Sequence, residues 1–339
     1  MFTLGCDRAY LYAHPERELT PDEMRRYDEA LARRAAGTPA QYITGHQEFW
    51  GLDLIVSPAV LIPRPETEHV VEAVLELVSG IELGQKQDQD QRPRTGVSAP
   101  HEVRIVDVGT GSGAIALALA HELPAAQIFA TDISAEAIEV AGINAARHDL
   151  SSHIEFRQTD LLEGLPPAWF DFVISNPPYV GESEEDSVQM EVRKFEPRNA
   201  VFAGPTGLEV IARLIPQALI ALRPGGWLVL EISGTIADRV QNLLSGWREV
   251  TLRKDLQGIA RVALARKPAG AESGLADPGD EACRVCAREE TGRAPSLHKQ
   301  ARTLLAHLTA PRTECRPSCR DRRNLPIRLM GTTTAFADW

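Results

Sequence analysis

The residues with the clearest chemical potential are Ile174-Ser175-Asn176-Pro177-Pro178-Tyr179-Val180. Two consecutive prolines fix the backbone and remove two N–H donors. The carbonyls of Asn176 and Pro177 are left as acceptors, and Asn176 adds a side-chain carbonyl. Tyr179 offers a flat face to a planar group. Together with Pro178 they make a slot for an sp² –NH₂ group, with acceptors on both N–H bonds and the lone pair directed at an electrophile. An amide or aryl nitrogen is a poor nucleophile because its lone pair is delocalised. Acceptors on its N–H groups return electron density to nitrogen, and in-line placement against a methyl donor contributes roughly 7–11 kcal/mol in favourable cases. No base of high pKa is required, because the proton leaves after the methyl arrives. The competing reading of the same residues is a rigid strand-end turn.

A second segment supplies a place for the donor. Val106-Asp107-Val108-Gly109-Thr110-Gly111-Ser112-Gly113-Ala114-Ile115-Ala116 reads as a buried strand, a glycine-rich turn and a helix. Glycines serve where a backbone turns tightly and approaches a ligand, and the helix N-terminus adds free N–H groups. The spacing is G-x-G-x-G, not the G-x-G-x-x-G of dinucleotide sites. It favours a nucleoside-bearing ligand without a pyrophosphate, of which S-adenosylmethionine is the common one. A purely structural glycine turn is the alternative. Asp132 closes the next strand about twenty residues on, where a carboxylate accepts from ribose hydroxyls. Otherwise it is a helix N-cap, a role open also to Ser134. Asp160, ahead of Leu161, ends a third strand, as an acceptor for an adenine amino group or as a solvated loop residue.

The elements that must position these residues follow from periodicity. Short β-branched runs at 103–108, 128–131, 154–156, 170–175 and 227–232 alternate with helical stretches, which implies βαβ units and a parallel sheet. Runs near 249–252 and 260–265 supply a final hairpin pair. Upstream, Thr20 and Glu23 form a capping-box pair for a helix from Thr20 to Ala36, with Met24, Tyr27, Leu31 and Arg34 at helical spacing. Phe49 to Val56 reads as a bent strand or hairpin. A helix starts at Thr67, with Val70, Val71, Val74, Leu75 and Val78 on one stripe. Residues 84–100 have little to bury and read as a flexible linker or loop.

The whole chain has 339 residues, 43% hydrophobic and 24% charged, with a net charge of −11. Such an acidic chain is a poor generic binder of phosphate backbones, because that affinity comes from Lys and Arg displacing counterions. No apolar run approaches the ~20 residues that span a bilayer, and residues 1–7 lack the features of a signal peptide. A cytoplasmic location is expected. A single cysteine, Cys6, lies in the first 282 residues, so no disulfide framework holds the main body. The last seventy or so residues, from 268, are rich in Arg, Pro, Thr and Gly and read as a disordered tail. There Cys283, Cys286, Cys315 and Cys319, with His298 and His307, suit either zinc or an extension without a ligand; the reading adopted has no metal.

Taken together, these pieces resemble the HemK/PrmC family, the peptide chain release factor glutamine methyltransferases. The resemblance rests on Gly45–Gly51 (GHQEFWG), Val60–Glu68 (VLIPRPETE), Asp107–Ala116 (DVGTGSGAIA), Ser175–Val180 (SNPPYV) and Phe195-Glu196-Pro197-Arg198. Leu228–Ile232 and Asp255–Arg261 add to it. It runs from about Thr20 to Lys267. It implies a class I, seven-stranded, Rossmann-like methyltransferase domain (α/β, residues 67–267), preceded by a small helical domain (1–45) that docks substrate and a β-hairpin (46–66). The family usually begins with a longer helical domain, so its first helix is expected to be missing here.

The resemblance also implies a substrate: the glutamine of the Gly-Gly-Gln loop of class 1 release factors, methylated on its side-chain amide nitrogen. Carried over by residue, Gly109, Thr110, Gly111, Ser112 and Gly113 line the methionine part of S-adenosyl-L-methionine, and Asp132 holds its ribose. Asp160 and Leu161 flank the adenine. Asn176, Pro177, Pro178 and Tyr179 grip the amide. The Ile62–Glu68 segment, with Arg64, walls the site; alternatively Arg64 is an ordinary ion-pair partner. A monomer without stable nucleic-acid or membrane partners is expected. The alternative activity is methylation of adenine N6 or cytosine N4, whose enzymes use a similar Asn/Asp-Pro-Pro-aromatic slot but extrude a base and need a basic groove.

Overall fold

The computed structural model describes residues 2–90 and 102–269, without the side chains of 81–90. The tail cysteines and histidines therefore lie outside the described residues. Near the N-terminus, Thr20 accepts from the Glu23 backbone and Glu23 returns a bond to the Thr20 N–H, completing the expected capping box on the helix Pro21–Ala35. The apolar positions of that helix are not buried: Met24, Tyr27 and Leu31 are each close to half exposed. Their helical spacing is real, but the described residues supply no element to cover them.

Strands β1 (His46–Phe49) and β2 (Leu52–Ile55) form an antiparallel hairpin with Phe49 opposite Leu52. Both loop residues have positive φ, 53° at Trp50 and 72° at Gly51. That combination gives a two-residue loop the twist of its strands. The 3₁₀ turn Pro65–Thr67 then leads into the helix Glu68–Asp90. Val70, Val71, Val74 and Val78 of its expected stripe are buried. This helix runs through residues 84–90, the first part of the stretch expected to be a linker, because Gln, Lys and the preceding apolar turns propagate a helix readily. Residues 91–101 lie outside the described residues.

The sheet contains β3 (Arg104–Val108), β4 (Gln127–Asp132), β5 (Ile154–Gln158), β6 (Phe170–Ser175), β7 (Leu222–Glu231), β8 (Arg248–Lys254) and β9 (Ala260–Arg266), in the order β5-β4-β3-β6-β7-β9-β8. Every run expected to be a strand is one. The first five strands in that order are parallel, and β9 and β8 complete the edge antiparallel. Alternate residues feed two apolar layers: Ile105, Phe172, Ile174 and Val229 face one side, and Val106, Val108, Val173 and Leu228 the other. No helix among the described residues is long and apolar enough to cross a membrane.

Topology fixes where a ligand can sit. From β3 the chain adds β4 and β5 on one side, then returns to place β6 on the other. Loops leaving β3 and β6 diverge at this switch point and leave a crevice at the carboxyl ends of the strands. Val108 and Ser175 are partners across those two strands, and Ser175 Oγ donates to the Val108 carbonyl at 2.7 Å. The glycine loop and the Asn-Pro-Pro-Tyr segment are therefore next to each other.

Candidate active site

A cavity of about 330 Å³ occupies the crevice. Its wall includes Gly109, Thr110, Gly111, Ser112, Asp132, Asp160, Leu161, Asn176 and Pro178, so most residues singled out in the sequence meet in one place. Gly113, Pro177, Tyr179 and Arg64 are not part of that wall. Gly113 sits behind the loop, where a Cβ would stand 2.7 Å from the Leu117 side chain and 3.2 Å from Ala141. A glycine there allows the two helices to pack closely. Gly109 and Gly111 have φ of +72° and +56°, and a Cβ on either would meet no protein atom within 4 Å. Those two glycines leave open the space a bound molecule needs.

Asp132 is held by two backbone donors: Oδ2 accepts from Gly111 N at 2.9 Å and Oδ1 from Ser134 N at 2.9 Å. Ser134, not Asp132, caps the following helix by accepting from Ala137 N at 3.1 Å. The carboxylate thus sits at the cavity wall with fixed orientation. Asp160 forms an ion pair with Arg213, and both line the cavity. Leu161 takes a positive φ of 54°, a conformation that costs a non-glycine residue about 1–2 kcal/mol, and its carbonyl accepts from Thr131 Oγ1 at 3.0 Å.

Arg64 is engaged in an ion pair. It pairs with Glu196, whose side chain is 1% exposed. Glu196 also accepts from the Ile62 N–H at 3.1 Å. This pair clamps the 60–68 segment to the chain after Phe195 and places Val60, Leu61, Pro63 and Thr67 on the cavity wall.

At the Asn-Pro-Pro-Tyr segment, Asn176 Nδ2 donates to Thr67 Oγ1 at 3.2 Å. Its side-chain oxygen is thereby left on the other side of the carboxamide. Tyr179 packs against the apolar layer that holds Val173 and Leu228, and its hydroxyl donates to Glu231 Oε1 at 3.2 Å. Burial raises the Tyr179 pKa above its usual value, and the neighbouring Glu231 carboxyl adds to the rise. Glu231 is 3% exposed at the end of β7, and burial pushes its pKa to about 7. Asp107, 1% exposed on β3, is likewise pushed to about 7 by burial, even though Thr110 Oγ1 donates to it at 2.7 Å.

Thr67, Asp107, Arg213 and Glu231 were not assigned roles from the sequence. Two of them carried a signal: Asp107 and Glu231 are lone acids inside otherwise apolar strand runs, and an acid is rarely fully buried without a purpose. Thr67 carried one only through the 62–68 segment, and Arg213 carried none.

The Methyltransferase small domain model matches residues 95–194 and the PrmC N-terminal domain model matches residues 1–45. The release factor glutamine methyltransferase of Koribacter versatilis is 54% identical over 271 residues, covering 79% of this chain and 89% of that protein. The chain belongs to the release factor glutamine methyltransferase family. Members of that family from Rhodopirellula baltica and Moorella thermoacetica are 38% and 42% identical, each matched over 85% of its own length. The helices at 8–13, 21–35 and 40–44 fall within the stretch matched by the N-terminal domain model.

Proposed function

We propose that this enzyme methylates the side-chain amide nitrogen of the glutamine in the Gly-Gly-Gln motif of class 1 peptide chain release factors, using S-adenosyl-L-methionine. The observation that carries this reading is the Asn176 carboxamide. Thr67 takes its N–H, so its oxygen is the atom available to an incoming –NH₂ group at the cavity wall. When bound, S-adenosyl-L-methionine supplies a sulfonium methyl. Its methionine part belongs against Gly109–Ser112, its ribose against Asp132, and its adenine beside Leu161 and Asp160. The residues present suit it: two glycines without side chains give close approach, and a fixed carboxylate gives ribose hydroxyls an acceptor.

The protein's own contribution is orientation and electrostatics. Asn176, at the cavity wall, accepts one N–H bond of the substrate amide, and the backbone carbonyl of Pro177, a buried residue outside that wall, is assigned to the other, which favours pyramidal nitrogen. The consecutive prolines keep those acceptors from relaxing. Holding nitrogen in line with the methyl removes most of the entropic barrier.

The chain acts as a cytoplasmic monomer on a protein substrate, not on nucleic acid; its net charge of −11 and the acids of the turn Glu182–Ser187 beyond the slot disfavour a phosphate backbone. The test is methyl transfer from labelled S-adenosyl-L-methionine to a purified release factor, to its Gln→Ala loop variant, and to duplex and single-stranded DNA. Label on the wild-type release factor alone is expected. Label on DNA would replace this reading with adenine-N6 or cytosine-N4 methylation.

A further inference from the structure

Behind the amide slot lies a set of four side chains that no step above uses fully. Asn176 donates to the Thr67 hydroxyl, Tyr179 donates to Glu231 Oε1, and Glu231 Oε2 is buried with no hydrogen bond of regular geometry. Thr67, 4% exposed, faces the same carboxyl and counters its upward shift. A hydroxyl has one proton to give and can accept at the same time. Since Thr67 Oγ1 accepts from Asn176, its own proton must find another acceptor, and Glu231 Oε2 is the buried oxygen that lacks a donor.

We infer that Glu231 is a positioning residue: through Thr67 it fixes which face of the Asn176 carboxamide meets the substrate, and through Tyr179 it anchors the other end of the same segment. This deepens the amide-slot reading and rests on it. With Glu231 ionised, Thr67 and Tyr179 both donate to the carboxylate, Thr67 can only accept from Asn176, and the Asn176 oxygen faces the cavity. Protonation of Glu231 reverses the chain. The carboxyl donates to Thr67, Thr67 donates to the Asn176 oxygen, and the Asn176 –NH₂ turns toward the –NH₂ of the substrate. Two donors then face each other, and the slot no longer draws on the N–H bonds it must polarise.

The carboxyl titrates in an accessible range because it is buried, and Glu66 on the adjoining turn raises its pKa further, while Thr67, Tyr179 and Arg261 of β9 oppose the rise. The sign follows: below the raised pKa the reversed network dominates, so turnover is lost as pH falls, by up to tenfold per pH unit. The value of about 7 places that limb next to neutrality.

Two measurements test this. The first is kcat and KM from pH 5.5 to 9 with a release factor substrate. Wild type is expected to show an acid limb in kcat. Glu231→Gln and Thr67→Val should lower kcat at least tenfold at pH 8 with KM little changed, and the acid limb should vanish in Glu231→Gln. Thr67→Ser, which keeps the relay hydroxyl, should recover most of the activity. A Glu231→Gln enzyme with wild-type kcat and an unaltered acid limb overturns the inference while leaving the amide-slot reading intact. The second measurement is NMR of the Asn176 side-chain amide without substrate, across the same pH range. Its shifts should follow the Glu231 titration and cease to do so in Thr67→Val. No such coupling overturns the inference. Absence of any label on the release factor from wild type defeats the functional reading instead, and the NMR outcome still decides the network.

Discussion

Asn144 and the backbone of Ile55 hold each other twice: Oδ1 accepts from Ile55 N at 2.7 Å, and Nδ2 donates to the Ile55 carbonyl at 3.0 Å. The same Nδ2 group donates to the Ser112 carbonyl at 2.9 Å. One fully buried side chain therefore ties the hairpin to the glycine loop. Asn144→Ala should destabilise the fold by about 2–4 kcal/mol, because each buried backbone group left unpaired costs roughly 1–3 kcal/mol. It should also weaken cofactor binding by loosening Ser112. Thermal unfolding and calorimetric titration check the two effects; an unchanged melting temperature would show that water replaces the side chain at no cost.

Asn176→Ala removes the side-chain acceptor but leaves the glycine loop and Asp132 in place. Cofactor affinity should stay within a few fold of wild type while kcat falls about 100-fold or more, in line with the loss of one preorganised polar contact to a reacting group. Single-turnover assays with cofactor binding measured in parallel decide it. Normal turnover in this variant would refute the amide slot.

Asp132→Ala should raise the dissociation constant for S-adenosyl-L-methionine by roughly 10- to 100-fold, because charged hydrogen bonds contribute about 1.5–3 kcal/mol. Part of the loss is indirect, since Gly111 N and Ser134 N also lose their acceptor. Calorimetry that returns the wild-type constant would exclude Asp132 from the ribose site.

Arg64→Ala leaves the buried Glu196 carboxylate with only the Ile62 N–H. Stability should fall by about 1–3 kcal/mol, and Glu196→Gln in the same chain should restore part of it by removing the unpaired charge. Chemical denaturation of the single and double variants gives the comparison. If the two losses simply add, the clamp between these segments is not an ion pair.

Asp107 should make stability depend on pH. Its carboxyl is pushed up to about 7 by burial in the fold, whereas it titrates near 3.9 when unfolded. Between those values the folded state binds the extra proton, so stability falls as pH rises from about 4 to 7. Glu231 adds a slope of the same sign. Asp107→Asn should flatten the fall, as read from melting temperatures across that range; an unchanged profile would mean that Asp107 stays charged throughout.

Much of this was legible in the chain itself. Strand runs and helical stripes are local patterns, and each apolar run became the expected strand because side-chain alternation leaves few other ways to bury it. Gly109, Gly111, Asn176 and the two prolines were readable for a related reason: their backbone constraints are intrinsic to the residue type. Asp132 could be singled out by its place at the end of the next strand, about twenty residues after the glycines.

Other assignments depended on partners far away in sequence. Residues 84–90 looked like linker because they bury nothing, yet the helix before them propagates through. Met24, Tyr27 and Leu31 have helical spacing and yet stay close to half exposed, because periodicity reports a helix, not what covers it. The Glu196 partner of Arg64 and the close approach of Ala141 to Gly113 come from segments that no local pattern brings together.

The sequence by itself determined the α/β class, the identity of the strands, the glycine loop and the residue types of the slot, since all of these follow from local sterics and periodicity. Only the tertiary structure decided that Thr67 meets Asn176, that Tyr179 meets Glu231 and that Asn144 meets Ile55. Those contacts join segments with no sequence relation to one another. The first two exist because the sheet order places β6 beside β3 and β7 beside β6, with the 60–68 segment clamped to the chain after Phe195.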